Sequence, residues 1–378
     1  MLNRAKVMHA LQNIEDALFH DISDEIERAR QTWERITQDS TFIHKIRACD
    51  IPLPLPHWEG DLGATIPIEP YIGPYTILGV DGSQIYPDKH QGSTCFLINI
   101  GSVLLSYGQP HKGVHLESMP YVFAPNDENE IGGTGSPDMV NCQREEFEFI
   151  AGNHISKIIQ PSLTEQQIPY LSVTDGSLIF WHLEAKEAPI RDYFLPRYCS
   201  LLHELYEQKT LCAGYISLPK NKELVNLIRI ALADFDTQAC MKSMAIKHVV
   251  DTTVASMFLE PQTRTTLFKS GASIAAQYPD HLVPYFFYMH TGHEIARVEI
   301  PAWIARDEAA VTLVARMLLD QSIKGRGYPV VLAEAHEQAV VKGPDRDFFY
   351  QVITKLGIER KKRVILSQKS VKKRGIGI

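Results

Sequence analysis

Two segments decide the fold: YTILGVDGSQIYP at residues 75–87 and IPYLSVTDGSLIFW at residues 168–181. Each is a short apolar run that leads into Asp-Gly-Ser, which predicts a buried strand followed by a turn. Between them, STCFLINIGSVLLSYG at residues 93–108 has two apolar parts around a glycine. That pattern predicts consecutive antiparallel strands after the first Asp-Gly-Ser.

Helical patterns surround these strands. Apolar residues recur at helical spacing in residues 137–159, 201–209, 222–235 and 306–325. Residues 211–219 predict a strand, residues 268–290 predict two strands, and residues 328–341 predict a strand that runs into a helix. This alternation predicts an α/β fold with a mixed sheet flanked by helices.

Composition divides the chain into four parts. Residues 1–50 predict an N-terminal helical segment. Residues 51–72 predict a proline-rich extended linker, because Pro52, Pro54 and Pro56 cannot continue a helix. Residues 73–366 form the main domain, in which the polar, glycine-rich stretch 124–136 predicts a mobile loop. Residues 367–378 form a basic tail.

The overall composition excludes several classes of protein. The net charge of -7 excludes a uniformly basic nucleic-acid coat, so DNA binding would require a local basic surface. The six cysteines include no C-x-x-C pair, which argues against a structural zinc site and a disulfide framework. No segment has about 18 unbroken apolar residues or the pattern of a signal peptide. We therefore expect a cytoplasmic protein that does not enter a membrane.

Asp81 and Asp175 are the first candidates for chemistry. Each is expected at the carboxyl end of a strand, and the glycine after it lets a ligand approach closely. Two such carboxylates on neighbouring strands could hold Mg²⁺ or Mn²⁺, which prefer oxygen ligands. Asp-Gly-Ser is also common turn chemistry, which is the better interpretation of a single copy. The second copy leaves both interpretations open.

Further candidates follow on predicted helices. Glu145, Glu146 and Glu148 lie in the helix after the glycine-rich stretch, where one of them could complete a metal cluster. A solvated acidic face is the alternative. His336, in VVLAEAHEQAV at residues 330–340, is expected just after a strand and could bind metal or transfer a proton. A buried structural histidine is the alternative there.

Basic residues could hold phosphate groups. Lys220 lies between a predicted strand and a predicted helix, where a phosphate could meet the helix N-terminus. The basic segments 360–363 and 369–374 could follow a nucleic-acid backbone. Loop lysines and basic tails are also often simply solvated, so the sequence leaves both interpretations open.

The order of these motifs resembles the NurA family. The motifs are strand-VDGS, a helix with Arg and Glu, strand-TDGS, strand-IS-x-P-K and the late EAHE-x-A, and they extend from about residue 75 to residue 366. The resemblance implies a ribonuclease H-like core and Mn²⁺- or Mg²⁺-dependent nuclease activity on DNA. It also implies a homodimer that works beside a HerA-type hexameric ATPase in DNA end resection.

The resemblance also implies roles for individual residues. Asp81 and Asp175 match the first and second catalytic aspartates, and His336 matches the late histidine, all three as metal ligands. Glu148 is favoured as the third carboxylate, ahead of its two neighbours in the helix.

Two basic residues are expected to contact the substrate, and two other functions stay open. Arg144 and Lys220 are expected to hold the DNA backbone. A non-catalytic DNA-binding or adaptor subunit of a motor ATPase and a small-molecule phosphohydrolase remain the two other interpretations.

Overall fold

The computed structural model describes residues 2–18, 21–88, 95–109, 113–124 and 136–360. The expected mobile loop, at residues 125–135, lies outside the described residues. The basic tail beyond Arg360 does so as well. Within the described residues, no helix has both the length and the apolar character that a membrane crossing requires.

The strands belong to one mixed sheet. Their bounds are β1 (His57–Trp58), β2 (Thr65–Pro67), β3 (Tyr75–Ile85), β4 (Phe96–Tyr107), β5 (Val114–Phe123), β6 (Tyr170–Asp175), β7 (Leu211–Ile216), β8 (Thr263–Thr265), β9 (Phe268–Lys269), β10 (Pro284–His290) and β11 (Ile295–Pro301).

Helices lie on both faces of the sheet and also form the N-terminal segment. Their bounds are α1 (Arg4–Gln12), α2 (Glu15–Leu18), α3 (Ser23–Gln38), α4 (Phe42–Arg47), α5 (Pro137–Glu165), α6 (Trp181–Glu184), α7 (Ala188–Glu207), α8 (Glu223–Leu232), α9 (Thr237–Lys242), α10 (Asp251–Ala255), α11 (Ala302–Ala305), α12 (Glu308–Lys324), α13 (Val330–Ala339) and α14 (Gly343–Glu359).

The sheet order is β1-β9-β10-β11-β7-β6-β3-β4-β5, with β2 and β8 attached beside β10. Strands β3, β4 and β5 form an antiparallel meander. Strands β6 and β7 run parallel to β3, and β11 then runs antiparallel to β7. The expected mixed α/β architecture, with a central sheet flanked by helices, is therefore confirmed.

Strand β3 differs from its expected form, because it does not turn at Asp81. It continues to Ile85 and pairs with β4 along its whole length, with Asp81 opposite Gly101. Strand β4 likewise runs unbroken through Gly101 instead of forming two strands. A side chain at Gly101 would lie 2.4 Å from the Ala339 backbone nitrogen, so this glycine makes room for a helix rather than a turn.

That helix is α13, and it replaces the strand expected to lead into a helix at residues 328–341. Its apolar run lies flat on β3 and β4, with Val331, Leu332, Ala335 and Ala339 buried. A run of apolar residues does not distinguish a strand from a helix that is buried along one face. His336 consequently lies in the last turn of a helix rather than just after a strand.

The expected linker pairs with the sheet, and the N-terminal helix α3 packs against α8 and α10. Within residues 51–72, β1 pairs with β9 and β2 pairs with β8, and Leu55 and Trp58 are buried. Helix α3 buries Trp33, whose ring stacks on Phe258 at 5.3 Å. The two strands expected in residues 268–290 are confirmed as β9 and β10.

Candidate active site

Four of the predicted site residues converge from four separate elements. Asp81 lies in β3 and Asp175 ends the neighbouring parallel strand β6, with Val80 and Thr174 in register just before them. His336 from α13 brings its Nδ1 atom to 2.9 Å from Asp81 Oδ2. Glu148 from α5 is close enough that the charges of both aspartates raise its pKa. Elements that are far apart in sequence therefore place three carboxylates and an imidazole together.

The three glutamates of α5 point to different partners, so the structure distinguishes them. Glu148 pairs with Arg144 and faces the aspartates. Glu146 is buried and accepts a hydrogen bond from Arg197 Nε at 2.5 Å, away from the site. Glu145 lies 3.1 Å from His182 Nε2, although the pair is not aligned as a hydrogen bond. A solvated acidic face is therefore wrong for this helix.

Gly82 explains why a glycine follows the first aspartate. A Cβ atom at this position would lie 2.6 Å from Glu148 Oε1 and 2.8 Å from Arg144 Cγ. Contacts this short force atoms to move, so a side chain here would displace the Glu148 carboxylate and the Arg144 side chain. The Gly82 carbonyl also accepts a hydrogen bond from Arg144 Nη1 at 3.2 Å. Gly82 is therefore needed for the close contact between β3 and α5 rather than for a turn.

Charge repulsion and burial together disfavour ionised carboxylates in this site. Burial is the largest cause that raises the pKa of Glu148, to about 7, with the charges of Asp81 and Asp175 adding to it and Arg144 opposing it. Burial also raises the pKa of Asp175, again with repulsion from Asp81. The site therefore holds more negative charge than its own cations neutralise.

Tyr328 is a site residue that the sequence did not indicate. Its hydroxyl group lies near Asp175 and partly offsets the effect of burial on the pKa of that carboxyl. Tyr328 stands just before Pro329, the N-cap of α13, so the same segment supplies both Tyr328 and His336. The available sequence signal was its position at the start of the stretch 328–341 that contains His336.

Lys220 is the predicted site residue that the structure does not bring into contact with the others. It is exposed, in the segment after β7, and no hydrogen bond or ion pair between described residues joins it to them. The cleft of about 510 Å³ beside Asp175 is instead lined by the cations of Arg144 and Lys186, together with Trp181 and His182.

The sequence model of the NurA domain matches residues 75–341 of this chain. The chain belongs to the NurA family. The matched residues contain β3 to β11 and all four converging side chains, so the family assignment covers the whole site. Membership places the chain in a nuclease family, as the order of motifs implied.

Other comparisons add little to this assignment. No curated protein matches the chain. A crystal structure of prototype foamy virus protease-reverse transcriptase is similar over 47% of this chain and 21% of that chain, at 15% sequence identity and a TM-score of 0.22. A similarity at that level carries no argument about fold or function.

The site of this NurA-family chain has the donor chemistry that a divalent cation requires. Carboxylate oxygens and an imidazole nitrogen suit Mn²⁺ and Mg²⁺, and the surplus negative charge disfavours the metal-free state. Among the described residues, no three His, Cys, Asp or Glu side chains are already arranged to hold an ion. Glu148 is paired with Arg144 in this arrangement, and that pair would have to open for Glu148 to bind an ion.

Glu145 gives a testable pH dependence of stability. Burial raises its pKa to about 8, with the charge of Glu148 adding to the shift. Between pH 6.5 and 8 the folded chain keeps a proton on Glu145 that the unfolded chain has lost, so the free energy of unfolding falls as the pH rises. Each pH unit in that window changes this free energy by about 1.4 kcal/mol per such group. We expect Glu145→Gln to reduce the slope.

The measurement is urea unfolding in a metal chelator at four pH values from 6.5 to 8. Glu165→Gln, at the exposed end of the same helix, is the matched control and should retain the wild-type slope. Equal slopes for Glu145→Gln and the wild type would contradict the raised pKa.

Proposed function

We propose that this chain is a divalent-metal-dependent nuclease that hydrolyses DNA phosphodiester bonds. The observation that carries the proposal is the convergence of Asp81, Glu148, Asp175 and His336 from β3, α5, β6 and α13. A protein that only binds DNA gains nothing from three carboxylates in one place, because they repel phosphate. The family assignment supports the same function.

These four residues are the proposed ligands of Mn²⁺ or Mg²⁺. When bound, such an ion lowers the pKa of a coordinated water and neutralises charge on the scissile phosphate. The ribonuclease H-like core implied by the resemblance also belongs to this proposal. The antiparallel meander of β3, β4 and β5, continued by the parallel strands β6 and β7, supports it.

Residues of the chain supply positioning and proton transfer. The Asp81 carboxylate faces His336 Nδ1 and fixes the orientation of the ring, which leaves Nε2 either to bind the ion or to transfer a proton. The His336 side chain is 58% exposed, so a substrate can reach it. Tyr328 orients Asp175, and Arg144 places a guanidinium where it can hold a phosphate oxygen once it leaves Glu148.

The wider role comes from the family and is part of the proposal. It comprises a homodimer, a HerA-type hexameric ATPase partner and DNA end resection in the cytoplasm. Strand β5 supports association with another chain, since it ends the sheet order and exposes Val114, Leu116, Met119 and Val122. Lys220 and the basic tail are proposed to contact the DNA backbone.

Metal removal tests the proposed reaction directly. We expect cleavage of linear DNA to require millimolar or lower Mn²⁺ or Mg²⁺, to stop in excess EDTA and to return when the metal is restored. Calorimetry should show Mn²⁺ binding to the wild type and weaker binding to Asp81→Asn. The control is chelator-treated, Ca²⁺-free protein in the same cleavage assay without added metal.

The same experiment separates the two rival functions. An adaptor subunit predicts no Mn²⁺ binding and no cleavage. A small-molecule phosphohydrolase predicts hydrolysis of mononucleotides that does not depend on DNA length. Either result would replace the nuclease proposal.

A further inference from the structure

One carboxylate oxygen accepts three hydrogen bonds from the segment that follows Asp175. Glu299 Oε2 accepts hydrogen bonds from Ser177 Oγ at 2.7 Å, from the Leu178 amide at 2.8 Å and from the Ile179 amide at 3.1 Å. Ser177 is the serine of the second Asp-Gly-Ser, so this contact gives that serine a specific partner. The three donors lie within four residues of Asp175 and define how the chain leaves β6.

Glu299 is itself held rigidly. It lies in β11, is fully buried, and accepts a hydrogen bond from Arg297 Nε to Oε1 at 2.7 Å. The Arg297 guanidinium also contacts Glu223 Oε2 at 2.6 Å and lies 3.5 Å from the centre of the Phe286 ring. A side chain fixed on both sides cannot follow movements of the segment, so it restrains the segment.

Neutralising Arg297 does not by itself require Glu299. Arg297 has two carboxylate partners, Glu223 and Glu299, so balancing its one positive charge does not require both. An additional buried carboxylate costs free energy unless other donors satisfy it. At Glu299, those donors are the hydroxyl and amides that follow Asp175. The carboxylate is therefore explained by the segment that it holds.

We propose that Glu299 is a positioning residue that fixes residues 176–179 and thereby directs the Asp175 carboxylate toward Asp81. This inference rests on the proposed nuclease function for its catalytic consequence. Asp175 is the last residue of β6, and the sheet still holds the next residue through a hydrogen bond from the Gly176 amide to the Tyr215 carbonyl at 3.1 Å. Glu299 restrains the residues that follow, and displacements of about 1 Å at such a site can change rates by about 100-fold.

The test compares three variants. Glu299→Gln keeps the shape but places an NH₂ group against either the three donors of the segment or Arg297 Nε. Ser177→Ala removes one donor and leaves the buried ion pairs intact, so it remains informative if Glu299→Gln folds poorly. Glu223→Gln is the matched control, because it alters the same guanidinium without contacting the segment.

Two readouts are needed. Hydrogen exchange of the peptide covering residues 174–180 should become about tenfold faster in Glu299→Gln and unchanged in Glu223→Gln. The kcat for DNA cleavage should fall about 10- to 100-fold in Glu299→Gln with the KM for DNA nearly unchanged, and by less in Ser177→Ala.

The outcomes separate this inference from the proposed function. Unchanged exchange in Glu299→Gln, or an equal loss of kcat in Glu223→Gln, would overturn the positioning role. A wild-type chain that does not cut DNA would overturn the proposed function instead, while the exchange comparison would still decide whether Glu299 holds the segment.

Discussion

Changing Asp175 to asparagine is expected to lower the kcat for DNA cleavage by about three orders of magnitude or more. Asparagine has the size of aspartate and can still face the Tyr328 hydroxyl. It lacks the negative charge that holds a divalent cation, so the loss reflects charge and not shape. Asp81→Asn should lose activity to a similar degree and should also weaken the hydrogen bond with His336 Nδ1.

The stability of the same variant is expected to change in the opposite direction. Burial and the charge of Asp81 raise the pKa of Asp175, so ionised Asp175 is less favourable in the folded chain than in the unfolded chain. Metal-free Asp175→Asn should therefore unfold at a temperature equal to or higher than that of the wild type. Lost activity without lost stability identifies a residue kept for function.

A matched control separates this effect from a general change of charge. Asp347 is exposed on α14 and is not one of the converging residues, and Asp347→Asn removes the same charge. It should keep the wild-type kcat and the wild-type melting temperature. Undiminished cutting by both Asp175→Asn and Asp81→Asn would remove the basis for this active site.

Changing Arg297 to methionine is expected to destabilise the fold by about 3–5 kcal/mol. Arg297 is fully buried and contacts Glu223 at 2.6 Å and Glu299 at 2.7 Å, both of which are also buried. Its Nη1 atom also lies 3.2 Å from the Tyr288 hydroxyl. Methionine fills a similar volume but leaves these carboxylates without their cation. The loss is measured as the free energy of unfolding in urea, followed by circular dichroism.

Arg264 is the matched control for this prediction. It is also buried, but its carboxylate partner, Glu308, is 72% exposed and can be hydrated when the arginine is removed. Arg264→Met should therefore cost only about 1–2 kcal/mol, largely from its lost hydrogen bonds. A loss for Arg297→Met no greater than that for Arg264→Met would show that the buried carboxylates do not depend on Arg297.

The expected chemistry at Asp81 was reached from an incorrect local structure. The sequence pattern placed Asp81 in a turn at the end of a strand, but it lies inside β3. Local residue types predict turns at Asp-Gly-Ser, and the pairing with β4 overrides that preference because β4 stays paired with β3 as far as Ile85. At Asp175 no such continuation exists, and the strand ends where the pattern indicated.

The third carboxylate shows a different limit of the sequence. Helical spacing indicates that Glu145 and Glu148 share a face and that Glu146 does not, but it does not show what lies opposite each face. The structure places Glu148 toward the aspartates, Glu145 toward His182 and Glu146 toward Arg197. The preference for Glu148 is consistent with this arrangement, and its metal-binding role remains a prediction.

The sequence by itself determined the α/β class, the strands that lead to Asp81 and Asp175, most of the helices and the family. These depend on residue periodicity and motif order, which are local or sequential properties. Tertiary structure alone decided the contacts between distant residues, such as His336 with Asp81, which are 255 residues apart. It also decided that Tyr328 and Glu299 support Asp175. Burial patterns show which residues face inward, but only the packed sheet determines which residues meet there.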